Sequence, residues 1–241
     1  MKRFYRKELW QRIGKANEDF ALVEDGDHIA IGLSGGKDSL TLVWAMNEWQ
    51  KFSPVNFKIS VITLDMGWGG DLSPLVRYCA ELRVPYHIEP TKIGPIVFDT
   101  RKEANPCSLC AKLRRGTLHN VAKDMGCNKV ALAHHLDDAL ETMLLCMSFE
   151  SRIKTFKPKT YLDRKDITLI RPLIYVEEKT ILQIVDKLGL PVVHNPCPAN
   201  GRTKRQDMKE VLTCWEKHNP KLRENLLSAL RNNDIWSDKL L

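Results

Sequence analysis

Residues 33–39 read LSGGKDS and join two apolar runs, HIAIG before and LTLVWAM after. A buried strand, a glycine turn and a helix in that order bring backbone N–H groups and a helix N-terminus onto one anion. Gly35 and Gly36 let the backbone approach an oxyanion and take positive φ where needed. Ser34 and Ser39 add hydroxyl donors, and Lys37 adds charge. Leu33 and Asp38 flank these groups. Only three residues separate Gly32 from Gly36, and Asp38 follows Lys37, so the spacing breaks the Walker pattern. Gly-x-Gly-x-x-Gly is also absent, which excludes the dinucleotide fingerprint. A plain helix-start turn capped by Asp38 or Ser39 is the competing explanation.

Cysteine supplies the second candidate chemistry. Of seven cysteines, Cys107 and Cys110 form a Cys-x-x-Cys and Cys197 lies in the constrained stretch NPCPANG. Cys79, Cys127, Cys146 and Cys214 stand singly in helical or strand patterns and are expected to be buried spectators. An odd count without a secretion signal argues against a disulfide framework. Three thiolates fit an iron–sulfur cluster with one iron open to a substrate. They also fit zinc with His194 or His134 as a fourth ligand. Spacing alone leaves cluster, zinc and no metal open.

The acidic stretch HHLDDALET carries the third. His134, His135, Asp137, Asp138 and Glu141 crowd the junction of a predicted strand and helix. Asp138 and Glu141 are three apart and share a helix face. Carboxylates there can hold Mg²⁺ or move a proton. Asp137 is expected to cap the helix, and Asp138 to act in catalysis. Asp65, at the end of a second strand in TLDMGWGG, is placed where a nucleoside would lie.

These residues need a scaffold. The periodicity predicts a helix over 4–20, strands over 28–33, 57–64, 85–89 and 129–134, and helices over 37–50, 72–82, 108–126 and 137–148. Such alternation defines an α/β fold, a doubly wound parallel sheet covered on both faces. After residue 150 come β-like pieces and helices over 177–188, 203–217 and 221–232, read as a small helical C-terminal part. The chain is expected to be one domain over 1–241. It comprises an N-terminal helix (1–25), a nucleotide-binding core (26–150) and a C-terminal extension (151–241) carrying Cys197. No apolar run approaches the ~18–20 residues of a membrane helix. The basic N-terminus lacks an apolar segment, so a cytoplasmic protein is expected. A net charge of +7 favours a polyanionic partner. Lys112, Arg114 and Arg115 follow Cys110, while Arg202, Lys204 and Arg205 follow Cys197, so a basic rim would surround any site the cysteines share.

The loop SGGKDS resembles the pyrophosphatase loop of the PP-loop ATP pyrophosphatases, which adenylate a substrate and release pyrophosphate. With CSLCAKLRRG, AHHLDDALET, IRPLIYVEEKTI and NPCPANGRTKRQDMKEVL in this order, the chain resembles the tRNA 2-thiocytidine synthetase family from about residue 10 to about residue 232. The resemblance implies the Rossmann-like HUP fold of N-type ATP pyrophosphatases. It implies that residues 33–39 hold ATP with Mg²⁺, that Asp65, His134 and Asp137 contact the nucleotide and that Asp138 assists. It further implies a [4Fe-4S] cluster on Cys107, Cys110 and Cys197. The basic rim would take the anticodon stem-loop of tRNA, thiolated at cytidine 32 with sulfur from sulfide or from a persulfide donor such as a cysteine desulfurase. A homodimer is implied as well. One departure is that the late site holds Cys197 alone, without a second nearby cysteine. Thiolation of a uridine, a PP-loop ligase with structural zinc, and a non-catalytic ATP-binding module stand as alternatives.

Overall fold

The computed structural model describes residues 2–101, 106–193, 197, 204–232 and 235–236, and the side chains of these from residue 4 on. His194 and Arg202 lie outside the described residues. The chain opens with a short helix α1 (Lys2–Tyr5), a π-helical turn (Arg6–Trp10) and α2 (Gln11–Phe20). Strand β1 (His28–Gly32) leads into α3 (Lys37–Trp49), then β2 (Lys58–Asp65), α4 (Ser73–Leu82) and β3 (Tyr86–Pro90). A helical turn α5 (Ile93–Pro95) and a π-helical turn (Ile96–Arg101) precede α6 (Pro106–Asp124), β4 (Lys129–Ala131) and α7 (Leu136–Phe149). Then come β5 (Lys159–Leu162), β6 (Ile167–Ile170), α8 (Glu178–Leu188), α9 (Lys204–His218) and α10 (Leu222–Asn232).

The sheet order is β3-β2-β1-β4-β6-β5. Five strands run parallel, and β5 pairs antiparallel with β6, Lys159 opposite Ile170. The expected parallel sheet is therefore present with one antiparallel edge. The segment after residue 150 adds strands to it as well as helices. Both faces are covered, as alternation along the strands requires. Ile29, Ile31, Val61 and Ile170 enter the larger core with α2, α3, α4, α7 and α8. Ala30, Ile62, Val130 and Leu169 meet Leu118, Val121 and Ala122 of α6 on the other face. Each fully buried aliphatic side chain contributes about 1.5–3 kcal/mol. Cys79, Cys127 and Cys146 are buried as expected, but Cys214 is exposed on the outer face of α9.

Candidate active site

The chain reverses its direction across the sheet between the neighbours β1 and β4. Open α/β sheets bind ligands in the crevice beyond the carboxyl ends of strands at such a point. LSGGKDS leaves β1 into that crevice, and LAHHLDD leaves β4 into it.

The loop is held from below and left free above. Leu33 is 2 % exposed; its N–H bonds Ile62 O at 2.8 Å and its carbonyl accepts from Thr63 Oγ1 at 2.8 Å. Leu33 was expected at the nucleotide. With both main-chain groups spent on the sheet and its side chain in the core, it anchors the loop instead. Gly35 has φ +83°, and a Cβ there would stand 3.1 Å from Val193 Cβ. Its carbonyl accepts the Val193 N–H at 2.9 Å. The Ser34 N–H donates to Ser39 Oγ at 3.1 Å, which closes the turn. Ser39 Oγ in turn donates to Gly36 O at 3.0 Å. No side chain caps α3. Its first N–H groups are thus available to an anion. Lys37 Nζ lies 3.0 Å from Asp38 Oδ2 and 3.2 Å from Glu178 Oε1. Burial works to lower the Lys37 pKa, yet the two carboxylates outweigh it and the ammonium is held charged, above its ordinary value.

The second helix start is satisfied internally. His135 is the N-cap of α7: its Nδ1 accepts the Asp138 N–H at 3.4 Å, while Asp138 Oδ2 accepts the His135 N–H at 3.0 Å. Asp137 was expected both to cap this helix and to contact the nucleotide. Instead it is 5 % exposed, accepts the Glu178 N–H at 2.7 Å and pairs with Arg223 at 3.2 Å. Its carboxylate is spent on fastening α8 and α10 to α7. His135 Nε2 stands 3.5 Å from Asp38 Oδ1 and 3.4 Å from Asp138 Oδ2, which joins the two motifs. Asp38 Oδ1 is buried, and among the described residues no hydrogen bond reaches it. Glu141 is buried beside this network, and burial together with Asp138 pushes its pKa up to about 7. His134 accepts from Arg171 Nε at 3.2 Å; burial and that guanidinium push its pKa down to about 4, so it is a neutral ring. Asp65 stands at the end of β2 as expected, but Oδ1 accepts the Gly67 N–H at 2.9 Å and shapes the turn.

Cys107 and Cys110 share one face of α6, as spacing of three dictates. Cys110 packs with Ile93 and Val97 in a small apolar cluster edged by Met66 and Phe98. Burial raises the Cys110 pKa, Arg114 opposes this, and the thiolate charges of Cys197 and Cys107 add to it. Cys197, almost ninety residues on in sequence, is thus near enough for its charge to act on Cys110. Three soft sulfur donors beside an apolar wall fit an iron–sulfur cluster. Among the described residues no three His, Cys, Asp or Glu side chains already stand at coordinating distances.

Of the expected basic rim, Lys112, Arg114 and Arg115 are exposed on α6. Lys204 is exposed with Nζ 4.3 Å from the centroid of the Phe149 ring. Arg205 was expected to face RNA. Its guanidinium instead binds Asp138 Oδ1 at 2.8 Å and Thr142 Oγ1 at 3.1 Å, because the first turn of α9 lies across α7. Sequence reasoning missed Arg171, Glu178 and Lys209. The first two lie inside the stretch IRPLIYVEEKTI, which was the available signal.

The PP-loop domain family matches residues 6–213, so fold and loop together define a PP-loop protein. A tRNA-cytidine(32) 2-sulfurtransferase of Pelobacter propionicus is 40% identical over 94% of this chain and 86% of its own length. The enzyme of that name from Geobacter sulfurreducens is 40% identical over 94% of this chain and 90% of its own. The chain belongs to the tRNA 2-thiocytidine synthetase family of PP-loop proteins. Among solved structures, the U34-tRNA thiolase NcsA of Methanococcus maripaludis with its [4Fe-4S] cluster superposes with a TM-score of 0.76. It is 24% identical, over 95% of this chain and 78% of NcsA, which bears out the fold. No helix among the described residues is long and apolar enough to cross a membrane.

Proposed function

We propose that the protein is an ATP-dependent tRNA sulfurtransferase that replaces the 2-oxygen of a cytidine, at position 32 as in its relatives, with sulfur. The observation that supports this is that Cys197 lies within electrostatic reach of the Cys107–Cys110 pair. The Val193 N–H on the Gly35 carbonyl ties the late cysteine segment to the phosphate loop. That contact supports an adenylating site lying beside a sulfur site.

A pyrimidine oxygen is a poor leaving group. Residues 34–39 cradle the β- and γ-phosphates of ATP, with Lys37 neutralising charge and the α3 N-terminus donating N–H groups. The base oxygen attacks the α-phosphate, pyrophosphate leaves, and the oxygen is carried as an AMP ester. Asp38, whose Oδ1 has no hydrogen-bond partner among the described residues, is the ligand for a Mg²⁺ travelling with the phosphates. Cys107, Cys110 and Cys197 would hold a [4Fe-4S] cluster, which when bound supplies an iron free of protein ligands to carry sulfide. Sulfur adds at the activated carbon, and AMP leaves with the original oxygen. Asp138 is a positioning group in this scheme, since its oxygens hold His135 and Arg205. Lys112, Arg114, Arg115 and Lys204 line the approach for an RNA loop with its bases unstacked. The work is cytoplasmic and draws on an external sulfide or persulfide donor.

Anaerobic purification with iron analysis and a visible absorbance spectrum tests the site. Iron with thiolate charge-transfer absorbance is expected, lost in Cys107→Ala, Cys110→Ala and Cys197→Ala. A colourless protein carrying zinc, with Cys197→Ala still active, would contradict it.

A further inference from the structure

A chain of ion pairs and a second chain of looser polar contacts run from Lys37 to α9, the helix that follows Cys197. In one, Glu178 holds Lys37 with Oε1 at 3.2 Å and Lys209 with Oε2 at 2.5 Å. In the other, Asp38 holds Lys37 at 3.0 Å and faces His135 at 3.5 Å. His135 stands 3.4 Å from Asp138, and Asp138 holds Arg205 at 2.8 Å. Both chains end in the first two turns of α9. On the other side of Cys197, Val193 is fixed to Gly35 of the same loop. Cys197 is therefore bracketed by attachments to the phosphate loop on both sides.

Lys37 is shared between two carboxylates. A bound triphosphate concentrates more negative charge in the cradle than either of them, so the ammonium turns to it. Glu178 is then left to Lys209. That relay loses a competitor and grips its α9 partner more closely.

We propose that Glu178 couples nucleotide occupancy to the placement of Cys197, acting through Lys209. This rests on the reading that residues 33–39 take ATP. Glu178 and Lys209 are positioning residues, and the coupling is reciprocal: whatever fixes α9 also tightens nucleotide binding. The sulfur site would be drawn into register only when ATP is present to use it.

Hydrogen exchange on the full-length protein, with and without a non-hydrolysable ATP analogue and Mg²⁺, tests this. Residues 33–39 report occupancy and residues 204–212 report α9. Both should exchange more slowly with the analogue, α9 by about fivefold or more. In Glu178→Gln the loop should still respond while the α9 response is lost. Lys209→Met cuts the same relay from its half-exposed end and carries the test should Glu178→Gln fail to fold. An α9 indifferent to the analogue while the loop is protected overturns the coupling and leaves the ATP reading intact. A loop without protection overturns both. Wild-type responses of α9 in both variants overturn Glu178 as the bridge.

Discussion

Glu141 is 5 % exposed on α7, with Asp138 and Asp137 near it and Arg205 on the favourable side. Its folded pKa of about 7 lies above the ordinary 4.5. Between these values the folded protein holds a proton that the unfolded chain has released. Stability from this group thus falls as pH rises from 4.5 through 7 and levels off above. Glu141→Gln should flatten that fall, stabilising the protein at pH 8 by at most about 3 kcal/mol and changing little at pH 4. Denaturant titrations at the two pH values check it; equal effects at both would contradict the assignment. Gly35 has a different vulnerability. An alanine there must take φ near +83° and push Val193 away. Gly35→Ala should cost about 1–3 kcal/mol in the same titration and weaken ATP binding. The loop, its lysine and the three cysteines were legible in the sequence because each is a local pattern. Glu178 and Lys209 were not, since their roles come from where α8 and α9 land.

The helices α3 and α7 start at the same sheet edge and end differently at their N-termini. α3 has no side-chain cap, whereas α7 is closed by His135 and Asp138. The difference leaves the first N–H groups of α3, and not those of α7, open to an anion. His135→Ala removes the α7 cap and should cost about 1 kcal/mol of stability. It also frees Asp38 on one side, so KM for ATP should rise in steady-state assays; an unchanged KM would mean that His135 serves the helix alone. Element types were readable because hydrophobic periods of 2 and 3.6 differ. The α7 cap was misassigned because Asp is a common cap, and nothing local showed that Asp137 would be claimed by the Glu178 N–H and Arg223. The antiparallel β5 was likewise hidden: its partner β6 follows only after a short 3₁₀ turn, and strand direction is set by that turn rather than by composition.

The whole molecule carries a net charge of +7, and the exposed Lys112, Arg114 and Arg115 lie within about a turn and a half beyond Cys110. If they meet RNA phosphates, replacing all three with Gln should lower the slope of log affinity against log salt by about 2. Filter binding of tRNA over a salt series measures it, and an unchanged slope would place the RNA elsewhere. Fold, loop and cysteines together make one claim: adenylation and sulfur delivery occur at a single edge of the sheet. The most direct test is mass analysis of tRNA nucleosides from a deletion strain complemented with either wild type or Cys197→Ala. 2-Thiocytidine is expected with the wild type and none with Cys197→Ala. Thiocytidine restored equally by both, or absent with the wild type, would contradict it.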